Sequence, residues 1–331
     1  MAQIRFLSRS DVIRALPMAD AIEGMKRAYG ALSAQAVDMP LRSRVQGKND
    51  GVSLFMPAHL QNSGEMGVKI VSVFPQNLAQ GLPTIHAVVL VLDAERGQVL
   101  AMLEGGTLTA IRTGAGTGAA TDILANPDAS HVAIIGSGVQ ARTQLEAVCT
   151  VREIKTVSVY SPNKDNAEKF AQEMAGQGTI PTAITVAQSA NEAIENADII
   201  CTATSSHSPV FDGNLLKAGV HINAVGSYMP SMQEVDEVTL QKSRIYMDDK
   251  SAVLAEAGEI IIALNNGAIS ESDLYAEIGE VVNGTKTGRQ SSEDISYFKS
   301  VGVAVQDAVA ANIALKNADI MNIGTLLELD T

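Results

Sequence analysis

At 331 residues the chain is long for one core, because domains cluster at roughly 100–150 residues, so two domains are expected. Hydrophobic residues make up 46% and charged residues 18%, a globular composition that excludes extended disorder. The balance of 24 Lys plus Arg against 37 Asp plus Glu, net −13, excludes a nucleic-acid backbone as the natural partner.

The amino-terminal stretch carries Arg5, Arg9, Asp11 and Arg14 and has no apolar signal core. The longest apolar run, Ala87 to Leu92, stops at Asp93, far short of the ~20 residues a membrane helix needs. A helix is predicted near Ala19 to Leu32, followed by strands at Val52 to Met56, Gly67 to Phe74, His86 to Asp93 and Val99 to Glu104. Short turns containing Gly64, Gly81-Leu82-Pro83 and Glu95-Arg96-Gly97 join them, which makes this sheet antiparallel or mixed. Further on, strands at His131 to Ile135, Thr156 to Tyr160, Thr182 to Val186, Asp198 to Cys201, His221 to Val225 and Arg244 to Met247 alternate with helical stretches. Continuous apolar strands separated by helices imply a parallel sheet covered on both faces. A last helix, about Tyr297 to Lys316, has Val301, Val305, Ala308, Val309 and Ile313 at helical spacing and is expected to return to the first domain. The fold class is therefore α/β: a Rossmann-type doubly wound domain over residues 121–296, and a second α+β domain formed by 1–120 with 297–331. Cys149 and Cys201 lie in separate apolar segments and read as reduced core thiols of a cytoplasmic protein.

The run His131-Val-Ala-Ile-Ile-Gly136-Ser137-Gly138-Val139-Gln140-Ala141 is strand, glycine turn, then helix. Gly136 permits the tight turn, Gly138 lets the backbone approach a pyrophosphate, and the helix N-terminus points free N–H groups at the anion. A glycine turn that binds nothing, or a flavodoxin-like site, is the plainer alternative, but this one opens a six-strand alternating unit. At the end of the second strand an NAD site usually places a carboxylate. This chain reads Ser161-Pro162-Asn163-Lys164, with no carboxylate until Asp165. These donors suit a 2′-phosphate, so NADP(H) is favoured and NAD(H) is possible, although Ser161 or Asn163 could simply cap a helix. Thr202, Ala203 and Thr204 follow the fourth strand, where small residues let the adenosine-side and nicotinamide-side riboses lie close to the backbone, although an ordinary polar loop is the plainer reading.

Three cations lie in or beside apolar segments: Arg44, Lys69 and Arg112. Alternation puts Lys69 on the face of Gly67, Val71 and Val73, where a lysine either snorkels to water or has its ammonium pKa lowered by desolvation, which suits proton transfer. Arg112 sits in the small-residue run Thr107 to Gly118, which allows close approach of a ligand or another helix, and its planar fork can grip a carboxylate. For any one of them alone, a surface or salt-bridge role is the plainer reading. The five histidines show no paired metal-ligand spacing, and no serine-hydrolase elbow is present, so no metal is assigned.

In combination these residues resemble the ornithine cyclodeaminase/mu-crystallin family over nearly the whole length. The resemblance rests on Arg44, Met56-Pro57, Gly67-Val-Lys69, Asn77 with Gly81-Leu-Pro83, and Thr109-Ala-Ile-Arg112-Thr113. It continues through Gly136 to Ala141, Asn223-Ala-Val-Gly226, Pro230 and Phe298-Lys-Ser-Val-Gly302. It implies a homodimer joined through the first domain, with a small imino or amino acid in a cleft facing the nicotinamide. It also implies that Arg44 and Arg112 hold the substrate carboxylate, that Lys69 meets the carboxylate or reacting nitrogen, and that Thr113, Val225, Gly226 and Lys299 join the cofactor contacts. Two departures narrow the activity. Tyr228 stands where the cyclodeaminases have an acidic residue, and Leu54 where they have a glutamate, so a second, cationic amine is poorly served. The expected activity is NAD(P)H-dependent reduction of an α-imino acid, such as 1-pyrroline-2-carboxylate, 1-piperideine-2-carboxylate or a linear imino acid. Lys69 is the leading proton donor, with Tyr228 or a water as substitutes. The alternatives are cyclising lyase chemistry on bound NAD, and a non-catalytic dinucleotide or small-ligand binder of the crystallin type.

Overall fold

A computed structural model describes residues 2–329. In chain order it runs β1 (Ala2–Leu7), α1 (Arg9–Ala15), α2 (Met18–Ser33), β2 (Val37–Asp38), β3 (Ser43–Gln46), β4 (Val52–Leu60), β5 (Met66–Val73), β6 (Ile85–Leu92), β7 (Val99–Glu104) and α3 (Gly105–Leu124). Next come β8 (His131–Ile135), α4 (Val139–Val151), β9 (Thr156–Tyr160), α5 (Lys164–Met174), β10 (Ile184–Val186), α6 (Ala190–Ile194), β11 (Ile199–Thr202) and β12 (His221–Ala224). The rest is α7 (Glu237–Lys242), β13 (Ser243–Met247), α8 (Lys250–Glu256), α9 (Gly258–Asn265), β14 (Leu274–Glu277), α10 (Ile278–Val282), β15 (Ile295–Lys299), α11 (Ala304–Met321) and β16 (Thr325–Leu329). The chain divides into two compact units: the part up to Arg112 with the segment from Val303 onward, and Thr113–Gly302.

The first unit holds one sheet in the order β16-β1-β7-β6-β5-β4-β2, with β3 also paired to β4. Its pairs are antiparallel except β1 with β7. Period-two alternation places Met56, Val89 and Leu103 in one row with Lys69, and all are buried. Helix α11 covers this face; it is apolar nearly all round and buried along most of its length. The approach is close at Gly67, where a Cβ would lie 2.9 Å from the carbonyl oxygen of Leu90 and 3.6 Å from Cα of Ala308. Burying each large side chain of this row contributes about 1.5–3 kcal/mol, so the sheet and α11 hold each other. On the opposite face Phe55, Ile70 and Val88 stand in register and remain partly exposed.

The second unit is a parallel sheet in the order β10-β9-β8-β11-β12-β15-β13-β14 with helices between its strands. The order reverses between β8 and β11, which is the topological switch point of a doubly wound fold. Two strands, β14 and β15, add to the six expected. Tyr297, Phe298 and Lys299 belong to β15 rather than to the last helix, which begins at Ala304. The alternating aromatic residues of Ile295–Lys299 suit a buried strand, and the chain turns at Gly302, where φ is +82°. The unit boundaries accordingly fall after Arg112 and Gly302, where the sequence reading placed them after 120 and 296.

The small-residue run Thr107 to Gly118 lies inside helix α3. Its close approach is to another helix: a Cβ at Gly114 would lie 2.5 Å from the carbonyl oxygen of Thr143 in α4. Both cysteines are buried, and burial pushes each thiol up to about 12, the behaviour of inert core thiols. Among the described residues no helix is long and apolar enough to cross a membrane.

Candidate active site

In the first unit three elements bring ionic side chains together under cover. Strand β5 supplies Lys69, helix α3 supplies Arg112, and helix α11 supplies Asp307; they are 3%, 6% and 1% exposed. Lys69 Nζ lies 2.6 Å from Asp307 Oδ2, and Arg112 Nε donates to Asp307 Oδ1 at 3.0 Å. Arg112 Nη1 donates to Gln306 Oε1 at 2.9 Å, and Gln306 Nε2 donates to the Tyr29 hydroxyl at 2.7 Å. The first turn of α11 fixes Gln306 further, since the backbone N–H of Val303 donates to the same Oε1 at 3.0 Å.

Two cations face one carboxylate, so the cluster carries a net positive charge in a buried place. Burial dominates the Lys69 ammonium and lowers its pKa from 10.5 to about 8; Asp307 opposes the shift, while Arg112 and Arg42 add to it. A buried excess of charge is costly, and an anionic ligand would relieve it.

The structure narrows one expectation and leaves another at the surface. Arg112 does not present a free fork: two of its five N–H groups are engaged by Asp307 and Gln306, because its guanidinium lies against the first turn of α11. Arg44 is exposed on β3, opposite Leu54, whose next partner is Val71. Lys69 and Val71 are two residues apart on β5, so Arg44 shares the sheet face of Lys69. Tyr228 is 50% exposed in the loop after β12 of the second unit.

In the second unit the glycine turn has the form a pyrophosphate needs. Gly136 follows β8 with φ +112°, and a Cβ there would lie 2.5 Å from the carbonyl oxygen of Ala203. Around Gly138 there is open space, and helix α4 starts beside it at Val139 with no side-chain cap, leaving its first N–H groups for an anion. Gln140 Oε1 is buried with no hydrogen-bond partner among the described residues. Arg142 braces the turn, donating through Nη1 to the carbonyls of Ser137 at 2.5 Å and Gly138 at 3.0 Å, while its guanidinium pairs with Glu173. A dinucleotide fits these residues.

At the end of β9 the plainer roles are filled. Asn163 Oδ1 caps helix α5 by accepting from the N–H of Asn166 at 3.1 Å, and exposed Lys164 lies 3.7 Å from Glu168. Ser161 is partly exposed beside them. Thr202 and Val225 are buried, and Thr113, Ala203, Thr204 and Gly226 are partly exposed. Lys299 corrects the expectation of a cofactor contact: it is fully buried on β15, its Nζ 2.8 Å from Glu259 Oε1, an oxygen that also accepts from the Tyr297 hydroxyl at 2.9 Å. It is an internal ion pair because its strand lies in the middle of the sheet. Among the described residues no group of three His, Cys, Asp or Glu side chains is placed to hold a metal.

Sequence reasoning missed Asp307 and Gln306. The signal for Asp307 is visible in retrospect: one acid in the apolar helical run Val303-Ala-Val-Gln-Asp-Ala-Val309 occupies a position that should be core.

A buried ionic cluster in one unit and a glycine turn able to seat a pyrophosphate in the other are the marks of a two-unit dinucleotide-binding protein. The family model for the ornithine cyclodeaminase/mu-crystallin family matches residues 3–320, and the chain belongs to that family. It is 38% identical over 313 residues to a Delta(1)-pyrroline-2-carboxylate reductase of Bacillus cereus, covering 94% of this chain and 95% of that one. Among solved structures it is similar to the Thermococcus litoralis Delta(1)-pyrroline-2-carboxylate reductase in complex with NADH and L-proline, at 42% identity and TM-score 0.92, over 97% of this chain and 99% of that chain. It is also similar to an archaeal alanine dehydrogenase dimer with bound NAD, at 33% identity and TM-score 0.90, over 99% and 100%.

Proposed function

We propose that this chain is an NAD(P)H-dependent reductase of α-imino acids, with five-membered cyclic imine carboxylates as the leading substrates. The observation that carries the reading is the Lys69–Asp307–Arg112 cluster, a buried site with one positive charge in excess, in a chain so similar to a reductase solved with NADH and L-proline. The charge excess matches a substrate bearing one carboxylate. Leu54 and Tyr228, in place of carboxylates, disfavour a substrate with a second cationic amine.

When bound, the reduced nicotinamide supplies a hydride. The chain's own groups do the rest. The unengaged N–H groups of Arg112, with Arg44, hold the substrate carboxylate and so orient the C=N bond. Fixing both reactants contributes up to ~7–11 kcal/mol, which makes positioning the largest expected term. The imine nitrogen takes up one proton as its carbon takes up hydride, and Lys69 is the donor. Its pKa of about 8 keeps it charged at neutral pH yet easier to deprotonate than an ordinary lysine. Asp307 steadies the ammonium before transfer, and Gln306 with Tyr29 fixes the guanidinium.

The finer cofactor reading is a preference for NADPH over NADH. Its support is the absence of a carboxylate at the end of β9 and the donors Ser161, Asn163 and Lys164 there. Lys164→Asp is expected to reverse the ratio of kcat/KM for the two cofactors, and an unchanged ratio would remove the argument. A homodimer joined through the half-exposed sheet face of Phe55, Ile70 and Val88, in a cytoplasmic setting that keeps Cys149 and Cys201 reduced, completes the reading.

The direct experiment is a screen of NADPH and NADH oxidation against linear and cyclic α-imino acids, with ornithine as control. Turnover of an imino acid is expected. Proline and ammonia from ornithine without added reductant would point to the lyase instead, and cofactor binding without any turnover to a non-catalytic binder.

A further inference from the structure

Two loops leave the carboxyl ends of the neighbouring strands β11 and β12, over residues 203–206 and 225–228. One carboxylate ties them together. Glu234 is fully buried. Its Oε1 accepts from the backbone N–H of Thr204 at 2.6 Å and from the Thr204 hydroxyl at 2.8 Å. Its Oε2 accepts from the backbone N–H of Gly226 at 2.7 Å and from the Thr202 hydroxyl at 2.9 Å. The carboxylate therefore spans both loops, and two of its donors are main-chain groups that cannot reverse their role. Its own backbone is anchored, since the N–H of Val210 donates to the carbonyl of Glu234 at 2.9 Å.

Gly226 belongs to the same clasp. A Cβ there would run into the carbonyl oxygen and N–H of Thr204 and into Glu234 Oε1, so only glycine lets the loops meet. Among the described residues no cation is in direct contact with Glu234; the Lys299 charge acts on it without an ion pair and is committed to Glu259. A buried carboxylate without an ion pair is held in place by its hydrogen bonds, and four converge here. An amide cannot replace it. Whichever way a glutamine is turned, its NH2 faces the N–H of either Thr204 or Gly226.

We propose that Glu234 is a positioning residue for the cofactor: it clasps the loops that carry Thr202, Ala203, Thr204, Val225 and Gly226, and so preforms the seat of the nicotinamide half. This rests on the reading of the second unit as the dinucleotide domain. In such a domain the pyrophosphate sits on the first glycine turn and the adenosine ribose at the end of the second strand, here β8 and β9. Strand β12 lies on the other side of the switch point. Loosening the clasp therefore weakens the nicotinamide half and spares the adenosine half.

The test is titration calorimetry of wild type, Glu234→Gln and Gly226→Ala with NADH and with ADP, which lacks the nicotinamide-side ribose, alongside melting temperatures. The Kd for NADH is expected to rise about tenfold or more while that for ADP stays within about twofold. If Glu234→Gln does not fold, Thr202→Val, which deletes one hydroxyl at nearly constant volume, is expected to show the same difference at about threefold. NADH affinity kept in every variant would overturn the proposal, as would equal weakening of both ligands with a lowered melting temperature. Wild-type protein that binds neither ligand would overturn the dinucleotide reading itself, a result distinct from any of these.

Discussion

Asp307 is one carboxylate serving two cations, and the pKa of Lys69 depends on that sharing. Burial pulls the ammonium down to about 8 even though Asp307 pulls the other way. If protonated Lys69 is the proton donor, kcat falls as pH rises through about 8. Removing the opposing charge with Asp307→Asn moves that break to lower pH. Lys69→Met is expected to cut kcat by ~10²–10⁴-fold and to abolish the break, as steady-state kinetics across pH would show. The same group leaves a mark on stability. Between about 8 and 10.5 the unfolded chain holds a proton that the native chain has released, so this group's contribution to stability rises with pH across that window. Denaturant unfolding of wild type should show the rise and Lys69→Met should lack it.

At the scale of elements, the glycine turn between β8 and α4 shows two glycines with different duties. Gly136 has a left-handed φ and no room for a Cβ, so Gly136→Ala is expected to cost about 1–3 kcal/mol or more and to lower the melting temperature. Gly138 has φ −78° and open space, so Gly138→Ala costs about 1 kcal/mol or less, yet its methyl group occupies the place proposed for the pyrophosphate. Intact stability with lost NADH binding is the expected signature of the second variant, read by thermal melting and titration side by side. This contrast also explains what was legible in the sequence. The turn is local: strand, glycines and helix follow one another within eleven residues, and the pattern carries its own physics. Lys69 was legible too, because strand alternation alone puts a cation among apolar neighbours. The partner of Arg112 lies 195 residues away on α11, and no periodicity links them. Lys299 misled for the complementary reason: a motif names a residue without saying that its strand will be central, and burial beside Glu259 followed from the sheet order. Strand β15 was hidden because its apolar residues run on toward those of α11, and only the turn at Gly302 separates two different periods.

At the scale of the molecule, the first unit has an apolar feature that the chain alone does not explain. In the first unit the row Phe55, Ile70 and Val88 stays partly exposed although it lies on adjacent central strands. A partner copy would cover it, consistent with the dimeric alanine dehydrogenase to which the chain is similar. Ile70→Glu puts a charge at the centre of that face, and light scattering after size-exclusion chromatography is expected to find monomer where wild type gives dimer; a wild-type monomer would contradict the proposed assembly. The proposed reading also predicts what the substrate carries. Lys69 and Arg112 share the single carboxylate of Asp307 in the first unit, and a substrate carboxylate would balance the remaining positive charge. The most direct measurement is kcat/KM of the wild-type protein for 1-pyrroline-2-carboxylate against 1-pyrroline, the same ring without the acid group. Charged hydrogen bonds from Arg112 and its neighbours imply a preference of ~10²-fold or more for the acid. Equal rates with the two rings would contradict the account, because the charge held beneath α11 would then have no part in recognition.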